Sequence, residues 1–133
     1  MILASGAFDG LHAGHVAYLE AAKALCEHEE VLVVAIAPDH YIEACKGRRP
    51  YWSQADRLRT VRALQCVDAA ITQGTPSVAT IILDYRPRMF VKGPDWIDRL
   101  PEDVQLACER AGCAMAFVDT PGHHVSEARK DGE

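Results

Sequence analysis

Residues 31–37 read Val-Leu-Val-Val-Ala-Ile-Ala, an uninterrupted apolar run that Pro38 stops. The run is short for a helix and too uniformly apolar for a strand with one wet face. It describes a strand covered on both sides, the situation of an interior strand in a parallel sheet. That is a severe constraint. Parallel neighbours cannot be joined by a tight hairpin and need crossover connections, which are usually helices.

The rest of the chain supplies them. Ile2 to Phe8 reads as a buried strand ending in a glycine-bearing turn, and His15 to Glu27 as a helix with Val16, Leu19, Ala22 and Cys26 on one face. Ser53 to Cys66 reads as a second helix, opened by Ser53 with Asp56 three residues on, a capping-box pattern. Asp68 to Thr72 is a short strand. Pro76 opens a helix reaching Leu83 or Asp84. Met89 to Lys92 is a strand stopped by Gly93-Pro94, Pro101 to Ala111 a helix that Gly112 ends, and Cys113 to Val118 a last strand. Strands alternating with helices predict an α/β fold: a Rossmann-like, doubly wound, five-stranded parallel sheet in a single domain over residues 1–122, with a short tail over 123–133. Ligands bind such sheets beyond the carboxyl ends of the strands. Phe8 to His15 and Lys92 to Trp96 both follow strands there and are expected to converge.

Composition removes several function classes. A chain of 133 residues with net charge −5 suits one core and is a poor candidate for binding nucleic acid, so a phosphate ligand must be met by a local cluster of basic residues. No apolar run approaches the roughly 18 residues of a membrane span, and Met1-Ile2-Leu3-Ala4 lacks a signal-peptide pattern. The cysteines, Cys26, Cys45, Cys66, Cys108 and Cys113, are odd in number and form no CxxC pair. Most of them read as small buried hydrophobes, and the set as thiols of a reducing cytoplasm rather than as disulfides or a zinc site.

The most informative segment is Ser5-Gly6-Ala7-Phe8-Asp9-Gly10-Leu11-His12-Ala13-Gly14-His15. Glycines let backbone approach a ligand, and a helix beginning near Gly14 offers free amides and a partial positive charge to a phosphate. His12 and His15 can donate hydrogen bonds to phosphate oxygens as charge builds in a transition state. Gly14 carries no side chain to block that approach. His-x-x-His is also the spacing of a metal pair, but further ligands are not evident. The run Lys46, Arg48, Arg49 is by itself an ordinary solvated loop.

This string resembles the (G/T)xFDxxHxGH signature of the cytidylyltransferase-like nucleotidyltransferases. The likeness continues through Lys46-Gly47-Arg48-Arg49-Pro50, similar to that family's mobile lysine loop, and Gln54-Ala55-Asp56-Arg57-Leu58, similar to its arginine-bearing helix start. Cys66-Val67-Asp68 and Phe90-Val91-Lys92-Gly93-Pro94-Asp95-Trp96 resemble two further motifs, so the resemblance covers residues 2 to 122. It implies that an acceptor phosphate attacks the α-phosphorus of a nucleoside triphosphate and pyrophosphate leaves, usually with Mg²⁺. It implies catalytic roles for His12, His15, Lys46 and Arg57. It places Ala7, Phe8, Asp9, Gly14, Lys92, Gly93, Asp95, Trp96 and Ser126 at the nucleotide, with Asp9 also a candidate Mg²⁺ contact. Homodimers are common in the family.

Leu11-His12-Ala13-Gly14-His15, Lys46-Gly47 and Val91-Lys92-Gly93 resemble the nucleotidyltransferase domain of bacterial ADP-heptose synthase. That branch implies ATP and a heptose 1-phosphate-like acceptor. The alternative branch, glycerol-3-phosphate cytidylyltransferase, uses CTP. One motif departs from the family. Its Ser/Thr-rich last segment is replaced by Gly122-His123-His124-Val125-Ser126-Glu127-Ala128-Arg129, in which Ser126 alone keeps a hydroxyl. Glu127 would place negative charge near outer phosphates. The departure keeps open a second class of function, a nucleotide-binding module without transferase activity.

Overall fold

The computed structural model describes residues 1–120. The expected domain end at 122, the tail, Ser126 and the altered last motif lie outside the described residues. Five strands form one all-parallel sheet: β1 (Ile2–Gly6), β2 (Leu32–Ile36), β3 (Ala69–Thr72), β4 (Met89–Lys92) and β5 (Ala114–Phe117), in the order β3-β2-β1-β4-β5. The doubly wound α/β expectation is met. The order reverses between β1 and β4, so the switch point, where crossovers leave to opposite sides, lies beside the carboxyl ends of those two strands.

β2 is buried at every position, as its run of apolar residues requires, and β1 is buried from Ile2 to Ser5. Side chains alternate between two cores. On one face Leu3, Val33, Ala35 and Phe90 pack under α4 (Ala79–Tyr85) and α5 (Glu102–Ala111). On the other, Ile2, Ala4, Val34, Ile36 and Val91 pack with Leu19 and Ala22 of α1 (Ala13–Ala24) and Val61 of α3 (Gln54–Arg62). Each fully buried aliphatic of this kind contributes about 1.5–3 kcal/mol relative to exposure.

Several boundaries differ from expectation for local reasons. α1 starts at Ala13 because His12 caps it, and ends at Ala24. α3 begins where expected, with Ser53 Oγ accepting from the Asp56 amide at 3.2 Å, but ends at Arg62. α4 begins at Ala79, with Pro76 in the preceding turn and Ser77 Oγ accepting from the Ala79 amide. An eight-residue helix, α2 (Asp39–Lys46), was not anticipated. It buries only Ile42, too little to produce a recognisable apolar stripe. Its start after Pro38 and its end at Gly47, in the left-handed region at φ 66°, are the signals that mark it. Among the described residues no helix is long and apolar enough to cross a membrane.

Candidate functional site

The turn after β1 carries the first group of residues. Phe8 is buried with φ 53°, a left-handed conformation that a bulky side chain adopts only when its surroundings enforce it. Its ring lies where a side chain on Gly6 would be: a Cβ there would stand 2.9 Å from the Phe8 ring. Glycine at position 6 therefore permits the turn that seats Phe8 edge-on against His15, with ring centroids 5.3 Å apart.

His12 and His15 cap α1 reciprocally. His12 Nδ1 accepts from the Gly14 amide at 3.0 Å, and His15 Nδ1 accepts from the His12 amide at 3.2 Å. Two imidazoles thus do what Ser/Asp and Glu/Gln usually do at a helix start. The rings lie 3.8 Å apart with a 30° tilt. Because both Nδ1 atoms accept, the neutral tautomer of each ring carries its proton on Nε2. The cap therefore fixes a pair of N–H donors at the positive end of a helix. Gly14 belongs to this cap through its amide. Tyr18, one turn along, donates its hydroxyl to the Val91 carbonyl and ties the same helix to β4. Burial pushes the Tyr18 phenol above its ordinary value and keeps it a donor.

A cavity of about 230 Å³ opens at the carboxyl ends of β1, β2 and β4. It is lined by Ser5, Gly6 and Ala7 from β1 and its exit, Tyr41, Cys45 and Lys46 from α2, and Lys92 with Trp96 from the end of β4. Lys92 is buried, with Nζ 3.0 Å from the Ser5 carbonyl oxygen and 4.6 Å from the centre of the Trp96 ring. Lys92 and Trp96 meet the end of β1 here, through Ser5, whereas no residue from Phe8 to His15, the segment expected to converge with them, lines this cavity. Gly93 and Asp95 are not among the lining residues, and Asp95 is exposed on the 3₁₀ turn Pro94–Trp96. Tyr41, Gln73 and Asp103 line the cavity without having been singled out in the sequence, and Ser5 and Cys45 without having been given a site role there. The i, i+4, i+5 spacing of Tyr41, Cys45 and Lys46 was the available signal, hidden because α2 itself was not recognised.

Three expectations change. Lys46 is not in a loop: it is the last residue of α2, and the irregular segment begins at Gly47. Asp9 is buried, and its carboxylate is already occupied. Oδ2 accepts from the Tyr51 amide (2.9 Å) and Arg48 Nη1 (3.2 Å), and Oδ1 accepts from the Trp52 amide (2.9 Å). Burial alone would raise its pKa, but the hydrogen bonds from Tyr51, Trp52 and Arg48 outweigh that and hold it below the usual value. Asp9 therefore organises the 48–52 segment and does not fit as a metal ligand. Among the described residues no group of three or more His, Cys, Asp or Glu could hold a metal ion. Arg57, expected at a phosphate, is 1% exposed. It donates from Nε to the Trp52 carbonyl (2.9 Å), from Nη1 to the carbonyls of Ala7 and Ala37 (2.8 Å each), and from Nη2 to Asp39 Oδ1 (2.6 Å).

The arrangement offers two fixed imidazole donors at a helix start and, at the switch point of the same parallel sheet, a cavity with two lysines, whose lining does not include His12 or His15. Comparison with known proteins shows the family. A cytidylyltransferase-like family model matches residues 3–128. The chain is 40% identical over 116 residues to bifunctional protein HldE of Streptomyces coelicolor, covering 86% of this chain and 24% of that protein. It is 36% identical over 110 residues to HldE of Helicobacter pylori, covering 82% and 23%. It thus spans about a quarter of the length of these relatives. The structure of a lipopolysaccharide core biosynthesis protein from Thermoplasma volcanium superposes with a TM-score of 0.71 at 27% identity, covering 89% of this chain and 93% of that one. A protein of unknown function from Archaeoglobus fulgidus shares the fold, with a TM-score of 0.64 at 18% identity. The chain belongs to the cytidylyltransferase-like family of nucleotidyltransferases.

Proposed function

We propose that this protein transfers AMP from ATP to a sugar phosphate resembling heptose 1-phosphate, releasing pyrophosphate. An oxygen of the acceptor phosphate attacks the α-phosphorus, the bond to the β-phosphate oxygen breaks, and the electron pair leaves with pyrophosphate. The observation that carries this reading is the reciprocal His12–His15 cap, which aligns two N–H donors at the start of the helix that follows β1. Donors fixed before reaction stabilise developing phosphate charge without reorganising. Lys92 and Lys46 supply positive charge within the cavity, and Trp96 a flat wall against which a sugar or base packs. Mg²⁺ enters as part of the substrate, carried on triphosphate oxygens and water. The likeness to the bifunctional HldE proteins supports ATP and a heptose phosphate over other pairs.

The test is a pyrophosphate-release assay with Mg²⁺, running ATP and CTP side by side over a panel of sugar and polyol phosphates. Turnover with ATP and an aldose 1-phosphate is expected. Turnover with CTP and a polyol phosphate would transfer the reading to the cytidylyl branch. The replaced motif at 122–129 favours one further reading, a module that binds nucleotide without transfer. Tight nucleotide binding by calorimetry with no turnover on any acceptor would establish it.

A further inference from the structure

Arg57 lies far from Ala7 and Ala37 in sequence, yet one guanidinium joins them. It links the exit of β1 (Ala7), the exit of β2 (Ala37), the 48–52 segment (Trp52) and, through Asp39, the first residue of α2. Carbonyls at the ends of parallel strands are acceptors that must be matched when buried. A rigid planar fork matches several at once, and a lysine cannot. The guanidinium is fully buried, whereas the Asp39 side chain is 44% exposed.

The consequence lies at the other end of α2. That helix is short and buries only Ile42, so packing holds it weakly. The residues of this helix that line the cavity are Tyr41, Ile42, Cys45 and Lys46. We infer that Arg57 is a positioning residue: through Asp39 it anchors the start of α2, and so fixes the wall of the cavity that carries Tyr41 and Lys46. It acts on the ligand through that wall, with its own donors occupied by protein.

The Arg57–Asp39 pair can be loosened from its exposed partner, so the test does not depend on a core substitution that might not fold. Asp39→Ala, Asp39→Asn and Arg57→Lys are compared with the parent protein in three measurements. Native-state trypsin cleavage at Lys46–Gly47 and Arg48–Arg49, read by mass spectrometry, reports opening of this wall. It should rise about three- to tenfold in Asp39→Ala, in line with loss of a partly exposed charge-assisted bond. Asp39→Asn, which keeps an acceptor oxygen, should restore cleavage to within about twofold of the parent. In the pyrophosphate assay Asp39→Ala should raise the acceptor KM with kcat little changed, the signature of lost ground-state positioning. MgATP affinity by calorimetry should stay within about twofold in Asp39→Ala.

A direct phosphate role for Arg57 predicts otherwise: Asp39→Ala, by releasing the guanidinium, would tighten MgATP binding by more than twofold and leave the acceptor KM at the parent value. That pattern, or parental cleavage rates in Asp39→Ala, overturns the proposal. The kinetic measurement rests on the nucleotidyl-transfer reading, whereas the cleavage measurement does not. A panel without turnover would therefore sink that reading and leave the cleavage rates to decide on the brace.

Discussion

The two sides of the candidate site are held by different means. The histidine side is local: His12, Gly14 and His15 satisfy one another within four residues, and Phe8 and Tyr18 fix the result to the sheet. The cavity side is assembled across long stretches of chain, with Lys92 reaching back to Ser5 and Arg57 to Ala7. A local device survives small shifts of its neighbours because its partners move together. A long-range device fails when any one segment moves. The difference predicts that substitutions on the histidine side act mainly on rate, and those on the cavity side mainly on stability and affinity.

His15→Ala gives the largest expected effect. Loss of a fixed donor at the reacting phosphate should lower kcat by about 10²–10³, with about 1 kcal/mol of stability lost through the cap. Steady-state pyrophosphate release and urea unfolding would measure both. A normal rate in a destabilised protein would reduce the histidines to a helix cap and break the contrast. Arg57→Lys comes next and should reverse the proportions. The buried carbonyls of Ala7 and Ala37 and the part-buried carbonyl of Trp52 lose donors, at about 1–3 kcal/mol for each buried one left unsatisfied. A urea midpoint within error of the parent would show that the cavity side is not held through this residue.

The same division decides what could be read from the sequence. The buried run of β2 and the histidine motif are contiguous, so their patterns survive in one dimension. α2 could not be read because eight residues with only Ile42 buried leave no periodic apolar stripe. Arg57 was visible as a basic residue near a helix start, but a charge on a helix normally faces water. Only the convergence of three chain segments shows it to be buried. Asp9 was expected at the nucleotide and as a Mg²⁺ contact, yet its hydrogen bonds to residues 48, 51 and 52 are set by tertiary folding and turn it from a metal candidate into a loop anchor.

Two smaller effects sharpen the comparison. Gly6→Ala would force a methyl toward the Phe8 ring, at a contact of 2.9 Å. Overpacking of this kind costs about 1–3 kcal/mol. Because Phe8 abuts His15, the rate should fall with stability. Stability loss with unchanged kcat would show that the Phe8–His15 contact does not set the imidazole. Lys92→Met removes the cation from the Trp96 face and the bond to Ser5. Ligand affinity should fall about tenfold, the scale of one lost charge-assisted contact. Stability should change little, since an apolar side chain replaces a buried charge whose desolvation is itself costly. Calorimetry with MgATP and with an acceptor phosphate, beside thermal unfolding, would show which ligand Lys92 serves. No change in either affinity would remove it from the site.

The opposite end of the sheet provides the smallest effect and the control. Glu30 lies before β2, and its carboxylate accepts from Arg88 at 2.8 Å beside the chain's N-terminal ammonium at 3.3 Å. Arg88 most of all, then the Glu27 amide and the N-terminus, hold its pKa down to about 2 from an ordinary 4.5. A carboxylate depressed on folding contributes its full stabilisation above the unfolded pKa, and loses it as pH falls through the folded one. The contribution of Glu30 is therefore complete above about pH 4.5 and declines toward pH 2. Glu30→Gln should remove part of the acid-side slope of Tm against pH in that window. It should leave ligand affinities at neutral pH unchanged, because the cluster sits at the amino ends of the strands and the cavity at their carboxyl ends. A shift in MgATP affinity at neutral pH in this variant would mean that the base of the sheet is coupled to the site, and that the two sides do not exhaust what holds it.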